Sequence, residues 1–467
     1  MKRLSGRLLP LTLCLGGLWT LGAFPLGAEE LRLSLDESIQ AADAYSPALK
    51  AAQLDVDAAV ANESAVKVGL LPHIGLDGHY DYVAQIIPPI NLPPQFAQTF
   101  GISQLDFGFH NNYSIGISAN WDIIGGVATW REWQVATQQR KAAEAQFDDA
   151  KQNLELGVRL AYFQTQLDET QMRLYGDALK LAQSQAHDLN VRFRAGSSSK
   201  IDWLTASNDE LEQREAYRMA QVALAGTLRD LFALTGEHQD ADVSIPVDGA
   251  DRRDLPAKVE RPTLAVSLDN TDALLAGLEP AESAPFQPQN LARLRVLWAE
   301  VEAAQRQADV AFTGHLPTGT VGFRWSDDYP EPPLPQSVDQ QTTSASFNLP
   351  LFAFGKVNDQ VAQAKDLAQA DQDNADNSVT LTRTDWLKAH DRLAGLRSQR
   401  ALQEQEARQA RELRAMVYRS YKIGGATFLQ VQTTTLQSLQ AGLALAETET
   451  QMLIELANLS ALTEVGR

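Results

Sequence analysis

Tyr113-Ser114-Ile115-Gly116-Ile117-Ser118-Ala119-Asn120-Trp121 is the stretch on which the reading of this chain turns. Its odd-numbered positions are apolar and its even-numbered positions are Ser, Gly and Asn, with Asp122 continuing the polar set. A period of two with one apolar face is the mark of a strand. Three further stretches repeat it. Ile74, Leu76, Tyr80 and Tyr82 alternate with His73, Gly75, Asp77, His79 and Asp81. Val321, Phe323 and Trp325 alternate with Thr320, Gly322, Arg324 and Ser326, and Ala345, Phe347, Leu349 and Leu351 with Ser344, Ser346 and Asn348. Strands are expected at about 72–83, 113–123, 317–326 and 342–351. Runs of roughly 9–11 residues suit tilted membrane-spanning strands.

Soluble hairpins resting one face on a core would also alternate. Two features favour the membrane. Tyr80, Tyr82, Tyr113, Trp121 and Trp325 lie near the ends of the apolar faces, as aromatics at a bilayer interface do. The opposite faces, which include Asp77, His79, Asp81, Asp122 and Arg324, suit a water-filled lumen.

Outward from the strands the chain reads as long helices. No proline occurs between Val127 and Ala195 or between Lys356 and Ile423. Nearly 70 helical residues at ~1.5 Å each extend roughly 100 Å, far beyond a globular domain. Leu160, Phe163, Leu167, Thr170 and Leu174, and again Leu436, Leu439, Leu443, Ala446, Thr450 and Leu453, recur by threes and fours as a coiled-coil seam does. The same order then appears twice. Leu71-Pro72 recurs as Leu316-Pro317, Gly126 as Gly355, Phe193-Arg194-Ala195-Gly196 as Tyr421-Lys422-Ile423-Gly424, and Ala233-Leu234-Thr235 as Ala461-Leu462-Thr463. The spacing from Gly126 to Gly196 is 70 positions and from Gly355 to Gly424 is 69, so an internal duplication is expected. The first repeat covers 29–236 and the second 290–464, each a helix, two strands, a long helix and a helix. An insertion at 237–289 and a tail at 465–467 have no counterpart.

Lys2, Arg3 and Arg7 precede an apolar run from Leu8 to Leu26, and Leu26-Gly27-Ala28 closes it, so residues 1–28 read as a cleaved signal peptide. Its removal takes the formal net charge from −19 to −22 and removes Cys14, the single cysteine. Disulfide scaffolds and cysteine zinc sites are thereby excluded. The acidic balance argues against nucleic acid as a partner. No phosphate loop, H-E-x-x-H or G-x-S-x-G stands in the chain, so no enzyme is indicated. His73 and His315 near the helix-to-strand junctions read as hydrogen-bonding side chains rather than metal ligands.

Four strands cannot enclose a pore, since about eight make the smallest filled barrel. An open sheet edge in lipid leaves backbone groups unsatisfied, so copies of the chain must join through their strands. Physics sets at least two copies and no number.

The Pro-opened hairpins, Gly-punctuated helix pairs and duplication resemble the TolC-like outer membrane efflux protein family, over about Leu31 to Thr463. The resemblance implies an α+β membrane protein: a homotrimer whose twelve-stranded transmembrane β-barrel, four strands per chain, continues into a long periplasmic α-helical coiled-coil barrel. The 237–289 segment would form an equatorial belt. It implies a passive exit duct in the cell outer membrane, serving tripartite efflux or type I secretion through a periplasmic adaptor (membrane fusion) protein and an inner-membrane transporter, with no cofactor. The other reading is a structural or adhesive envelope protein binding partners through its coiled coils.

By the same resemblance, the turns holding Arg194, Gly196 and Ser197 and Lys422, Gly424 and Gly425 face the adaptor. Residue chemistry alone explains those glycines as left-handed helix ends beside a cation. The family's aperture carboxylates fall on Gln430 and Thr433 here, so that pair is absent. Asp202, six positions after Gly196, is the remaining candidate for an acidic ring, or equally a helix-start Asp favoured by the dipole. Residues 84–112 and 327–341, with Pro88-Pro89, Pro93-Pro94 and Pro330-Glu331-Pro332-Pro333, are expected as extended, unpaired outer loops.

Overall fold

The structure is a computed structural model that describes residues 31–84, 87–101, 103–105, 108–237, 266–330 and 336–463. The expected signal peptide, most of the 237–289 insertion, Glu331-Pro332-Pro333 and the tail lie outside these residues. The elements in chain order are β1 (Leu31–Leu33), α1 (Leu35–Tyr45), α2 (Pro47–Val68), β2 (His73–Tyr82), β3 (Ile90–Asn91), α3 (Pro94–Phe100), β4 (Gln104–Leu105), β5 (Asn111–Asp122), α4 (Gly126–Arg194) and α5 (Lys200–Thr235). They continue with β6 (Val266–Leu268), α6 (Thr271–Leu278), α7 (Pro280–Ser283), α8 (Ala292–Phe312), β7 (Thr318–Tyr329), β8 (Val338–Asn348), α9 (Lys356–Lys422) and α10 (Phe428–Thr463).

The main sheet is antiparallel in the order β2-β5-β7-β8, so two hairpins join along β5 and β7 from Tyr113↔Tyr329 to Asp122↔Thr320. In the first hairpin β2 lies within the expected 72–83, while β5 begins two residues before the expected 113 and ends at Asp122. The second is displaced toward the loop: β7 runs on through Ser326-Asp327-Asp328 to Tyr329, and β8 begins at Val338 and ends at Asn348. Leu349 and Leu351 are therefore past the strand, where Pro350 has no N–H to give a ladder. The outer loops differ likewise. Residues 327–329 and 338–341 are strand. In the longer loop Pro94 opens α3, because a proline at a helix's first position forfeits only a donor that was unpaired anyway.

α4 has 69 residues and α9 has 67, as the proline-free runs require. α9 buries Ala368, Ala375, Thr382 and Ala389 at strict seven-residue intervals, the repeat of a coiled-coil seam. The leucine seam expected in α10 is only partly correct. Leu436 is 48% exposed, while Val431, Thr434, Ser438, Ala441 and Thr448 are buried one step round the helix. Small side chains let helices approach closely, and the threonines are hydrogen-bonded: Thr434 donates to Gln430 O at 2.9 Å and Thr448 accepts from Gln399 Nε2 at 3.2 Å. In α4, Phe163 is buried, but Leu160, Leu167, Thr170 and Leu174 are half-buried beside the more deeply buried Val158, Tyr162 and Thr165.

The principal core lies mid-shaft, where Val158, Tyr162, Phe163, Leu231, Leu393, Leu453, Leu456 and Leu459 exclude solvent. Tyr162 ties it to the chain's two outlying strands. Its hydroxyl donates to Leu33 O at 2.8 Å and accepts from Asp269 N at 2.9 Å, and Asp269 Oδ2 accepts from Leu35 N at 2.8 Å. β1 and β6 pair in parallel beside it. Burial pushes the Tyr162 phenol up, so it stays protonated and able to donate. The described end of the insertion is pinned to the shaft by ion pairs. Arg400 meets Asp272 at 2.8 Å and Glu449 at 3.0 Å, and Arg397 meets Glu282.

Candidate functional site

The sheet has its solvent preferences reversed. Ile74, Leu76, Tyr80 and Phe347 are 62–73% exposed, whereas Ser114 and Ser326 on the other face are 6% and 4% exposed. Removing such large apolar side chains from water is worth about 1.5–3 kcal/mol each. A sheet settled in water would bury them, so this face calls for an apolar cover. Ile115, Ile117, Ala119 and Trp121 of β5 point outward with Leu76, Phe323 and Trp325 in register.

Tyr80 and Tyr113 face one another near the loop end, where Tyr113 stacks on Tyr329 at 4.9 Å. Tyr82 stacks on His110 at 5.6 Å. Trp121 marks the helix end, its indole donating to Leu70 O at 3.0 Å. Trp325 lies opposite Ile117 rather than at a strand end, because β7 is longer than its alternation indicates. The next outward row holds Asp327 opposite Asp339, so the apolar band of the second hairpin stops at Trp325. Phe347 pairs with Gly319 at the helix end of the sheet, not near mid-span. Tyr329, which the alternation missed, joins Tyr80 and Tyr113 at the loop end.

Asp77, His79, Asp81, Asp122 and Arg324 share the other face. Asp122 Oδ1 accepts from Gly125 N at 2.7 Å and so turns the chain into α4. Arg324 pairs with Asp77 across β5 and donates to Ser114 Oγ at 3.2 Å. His315 Nε2 meets Asn358 Oδ1 at 3.0 Å. Among the described residues no three His, Cys, Asp or Glu side chains gather as a metal site would need, and no helix is long and apolar enough to cross a membrane.

The far ends of the helix pairs are built alike. Gly196 at φ +76° and Gly424 at φ +81° occupy left-handed positions. Ser197 N donates to Arg192 O and Gly196 N to Phe193 O, both at 2.9 Å. Gly425 N donates to Ser420 O at 2.9 Å and Gly424 N to Tyr421 O at 3.1 Å. This pair of bonds satisfies the last carbonyls of each long helix, while Arg194 and Lys422 sit in its last turn. The next helices start with matched caps. Ser199 Oγ accepts from Asp202 N at 3.0 Å, and Thr427 and Gln430 bond reciprocally, Gln430 Oε1 accepting from Thr427 N at 2.9 Å. Thr433 donates to Leu429 O at 2.9 Å. Gln430 and Thr433 thus serve the helix start and the preceding turn, and Asp202 occupies the position of Gln430 in the other half.

The alternation of residues gave no sign of the ring cluster that joins these ends. Phe193 stacks on Trp203 at 5.5 Å, Arg192 lies over Tyr421, and Phe428 packs among Ala186, Leu189 and Ala206. Ile201, Ile423 and Leu429 remain 67–86% exposed beside it. A groove of about 560 Å³ runs between α9 and α10 past Met416, Ser420, Gly425, Leu429 and Thr433.

The model of the family described as "Outer membrane efflux protein" matches residues 38–237 and 289–464. The chain belongs to this family. By its description the family is one of outer membrane efflux proteins, not of enzymes. The chain is 24% identical over 346 residues to outer membrane protein TolC of Escherichia coli (strain K12), a match covering 71% of this chain and 62% of TolC. The fold is similar to that of VceC from Vibrio cholerae, with a TM-score of 0.69 at 17% identity over 92% of this chain and 96% of VceC. It is also similar to the Campylobacter jejuni CmeC outer membrane channel, with a TM-score of 0.70 at 15% identity over 92% and 86%.

Proposed function

We propose that this protein is a passive outer-membrane exit duct that works as a homotrimer. The observation that carries the reading is the inside-out sheet with two open edges, β2 and β8. An edge cannot stand open in hydrocarbon, so β8 of one copy pairs with β2 of the next. Three copies close a barrel of twelve strands whose polar faces line a lumen.

The helices support the same closure. α2 carries an apolar stripe, Ala51, Leu54, Ala58, Ala61, Ala65 and Val68, spaced by threes and fours, with every member exposed. α9 offers an exposed stripe without charge, including Leu367, Ala370, Asn374, Asn377 and Leu381. Because α2 leads into β2 and α9 leaves β8, joining those edges sets α2 beside α9 of the neighbouring copy. The helical shaft then extends into the periplasm as two repeats, 29–236 and 290–464, with the described part of the insertion, β6 to α7, packed against the mid-shaft core.

The helix tips, with Arg194, Gly196, Ser197, Lys422, Gly424 and Gly425 and the apolar groove beside them, take a periplasmic adaptor, which connects the duct to an inner-membrane transporter. Asp202 faces the aperture. Purified protein in planar bilayers, with its mass measured in detergent, tests the duct. A three-copy mass and stable conductance are expected; a three-copy particle without conductance would leave the protein a structural envelope element instead.

A further inference from the structure

Arg397, Arg400, Glu404, Arg408 and Arg411 succeed one another in α9 at intervals of three and four, and so share one face of the helix. The face continues through Ala415 and Tyr418 to Lys422, with Arg419 at its border. Its two halves differ in what covers them. In the upper half both arginines are paired by the described end of the insertion. Arg397 meets Glu279 at 3.6 Å and also Glu282, and Arg400 meets Asp272 at 2.8 Å. The segment that brings these carboxylates is helical, and it seats Leu275, Leu278 and Ala281 on the mid-shaft core.

In the lower half no such carboxylate arrives among the described residues. Arg408 lies 3.9 Å from Glu404 of its own helix, which is already 3.2 Å from Arg400. Arg411 donates to Ala407 O at 3.0 Å and Arg419 to Ala415 O at 3.2 Å, both within α9, and the Lys422 ammonium stands 4.7 Å from the Tyr418 ring. Arg408, Arg411, Arg419 and Lys422 are all exposed. From Arg408 to Lys422 the helix holds five basic residues and one carboxylate, Glu412, in a chain with 59 acidic and 40 basic residues. The adjoining α10 has no charged residue from Phe428 to Ala446 to offset them. Arg411 and Arg414 stand three apart, as do Arg419 and Lys422, and like charges so spaced repel along a helix.

We infer that the face of α9 from Arg408 to Lys422 receives an acidic helix of the partner that docks at the tips, as the same face higher up receives the acidic helices α6 and α7. The inference rests on the adaptor reading and gives the adaptor's contacting surface its charge. The stretch is roughly 20 Å long, about four helical turns. Opposite charges across such a surface steer encounter and fix register.

The test uses the purified full-length protein and a labelled synthetic helical hairpin bearing Glu along one face, with a matching hairpin bearing Lys. The Glu hairpin should bind, more weakly as salt rises, and the Lys hairpin should not. Arg411→Glu with Arg419→Glu should weaken binding by about tenfold or more in dilute salt, and Arg411→Gln with Arg419→Gln by less. Lys141→Glu with Lys180→Glu makes the same change in net charge at exposed residues elsewhere and should leave binding as it was. Equal loss in the two Glu pairs would be a response to net charge alone and overturns the inference. So does a reversal that breaks the oligomer, read by mass in detergent: the face would then belong to the seam with a second copy, whose α5 exposes Glu212 and Glu215. In cells, a benzoylphenylalanine cross-linker in place of Ala415 reads the natural occupant, and one in place of Ser197 reads the tip. At Ala415 an adduct to an Asp- and Glu-rich helical segment of another periplasmic protein is expected. An adduct there to this same chain, or to a segment without that acidic excess, overturns the inference. An adduct at Ser197 with none at Ala415 defeats this inference alone, and none at either position defeats the adaptor reading with it.

Discussion

Tyr162, Phe163, Leu453 and Leu459 at mid-shaft are shut away from solvent, whereas Ile74, Leu76, Tyr80 and Phe347 on the sheet stand 62–73% exposed. The two regions use the same kinds of side chain. At mid-shaft they meet one another and the elements of both halves. On the sheet they turn outward, and it is serine and glycine that lie inside. Burial in this protein thus follows the local solvent rather than residue type. The shaft is stabilised as a soluble core is, within one chain, while the sheet gains nothing from its apolar face as long as water covers it.

The comparison breaks most sharply at the core. Phe163→Ala should cost about 3–5 kcal/mol, as buried aromatic truncations do, and should lower the thermal midpoint of the shaft measured by helix circular dichroism. An unchanged midpoint would mean that mid-shaft packing is not what holds the helices.

Next in size is Ile117→Arg, centrally placed on the outward face of β5, at about 2–4 kcal/mol per copy in lipid. Heat-stable oligomers in outer-membrane fractions should disappear, while Ser118→Arg, one residue on and facing the lumen, should retain them. Equal tolerance at the two positions would return the sheet to the soluble class. Gly424→Ala forces a Cβ into a left-handed residue and should cost about 1–2 kcal/mol. No other atom lies within 4 Å of the added carbon, so the loss is backbone strain alone, and Gly424→Asn should recover part of it.

Phe347→Arg should be milder than Ile117→Arg, at about 0–1 kcal/mol, because Phe347 sits at the helix end of the sheet where a guanidinium can reach the interface. A penalty as large as that at Ile117 would place the membrane boundary lower than the strand register does. A similarly small effect belongs to Asp202→Asn, roughly 0.3–1 kcal/mol through the helix dipole. The proposed trimer should persist while cation preference in bilayers falls, more in dilute than in concentrated salt. If conductance and selectivity are both unaffected, the aperture lies elsewhere and Asp202 is only a helix-start residue.

The sequence by itself determined the features set by local rules. Alternation in Tyr113–Trp121 is a property of neighbours along one strand, and the proline-free runs before Gly196 and Gly424 needed nothing but helix propensity and a left-handed stop. Tertiary structure decided what depends on residues far apart in the chain. The choice of Thr434, Ser438 and Ala441 over Leu436 as the inner seam of α10 follows from how closely the helices approach. The extension of β7 to Tyr329 requires β5 and β8 beside it, because a strand ends where its partners' hydrogen bonds end. The joining of Phe193, Trp203, Tyr421 and Phe428 at the tips, and the pairing of Arg324 with Asp77, bring together positions more than two hundred residues apart, and no periodicity encodes a meeting at that distance.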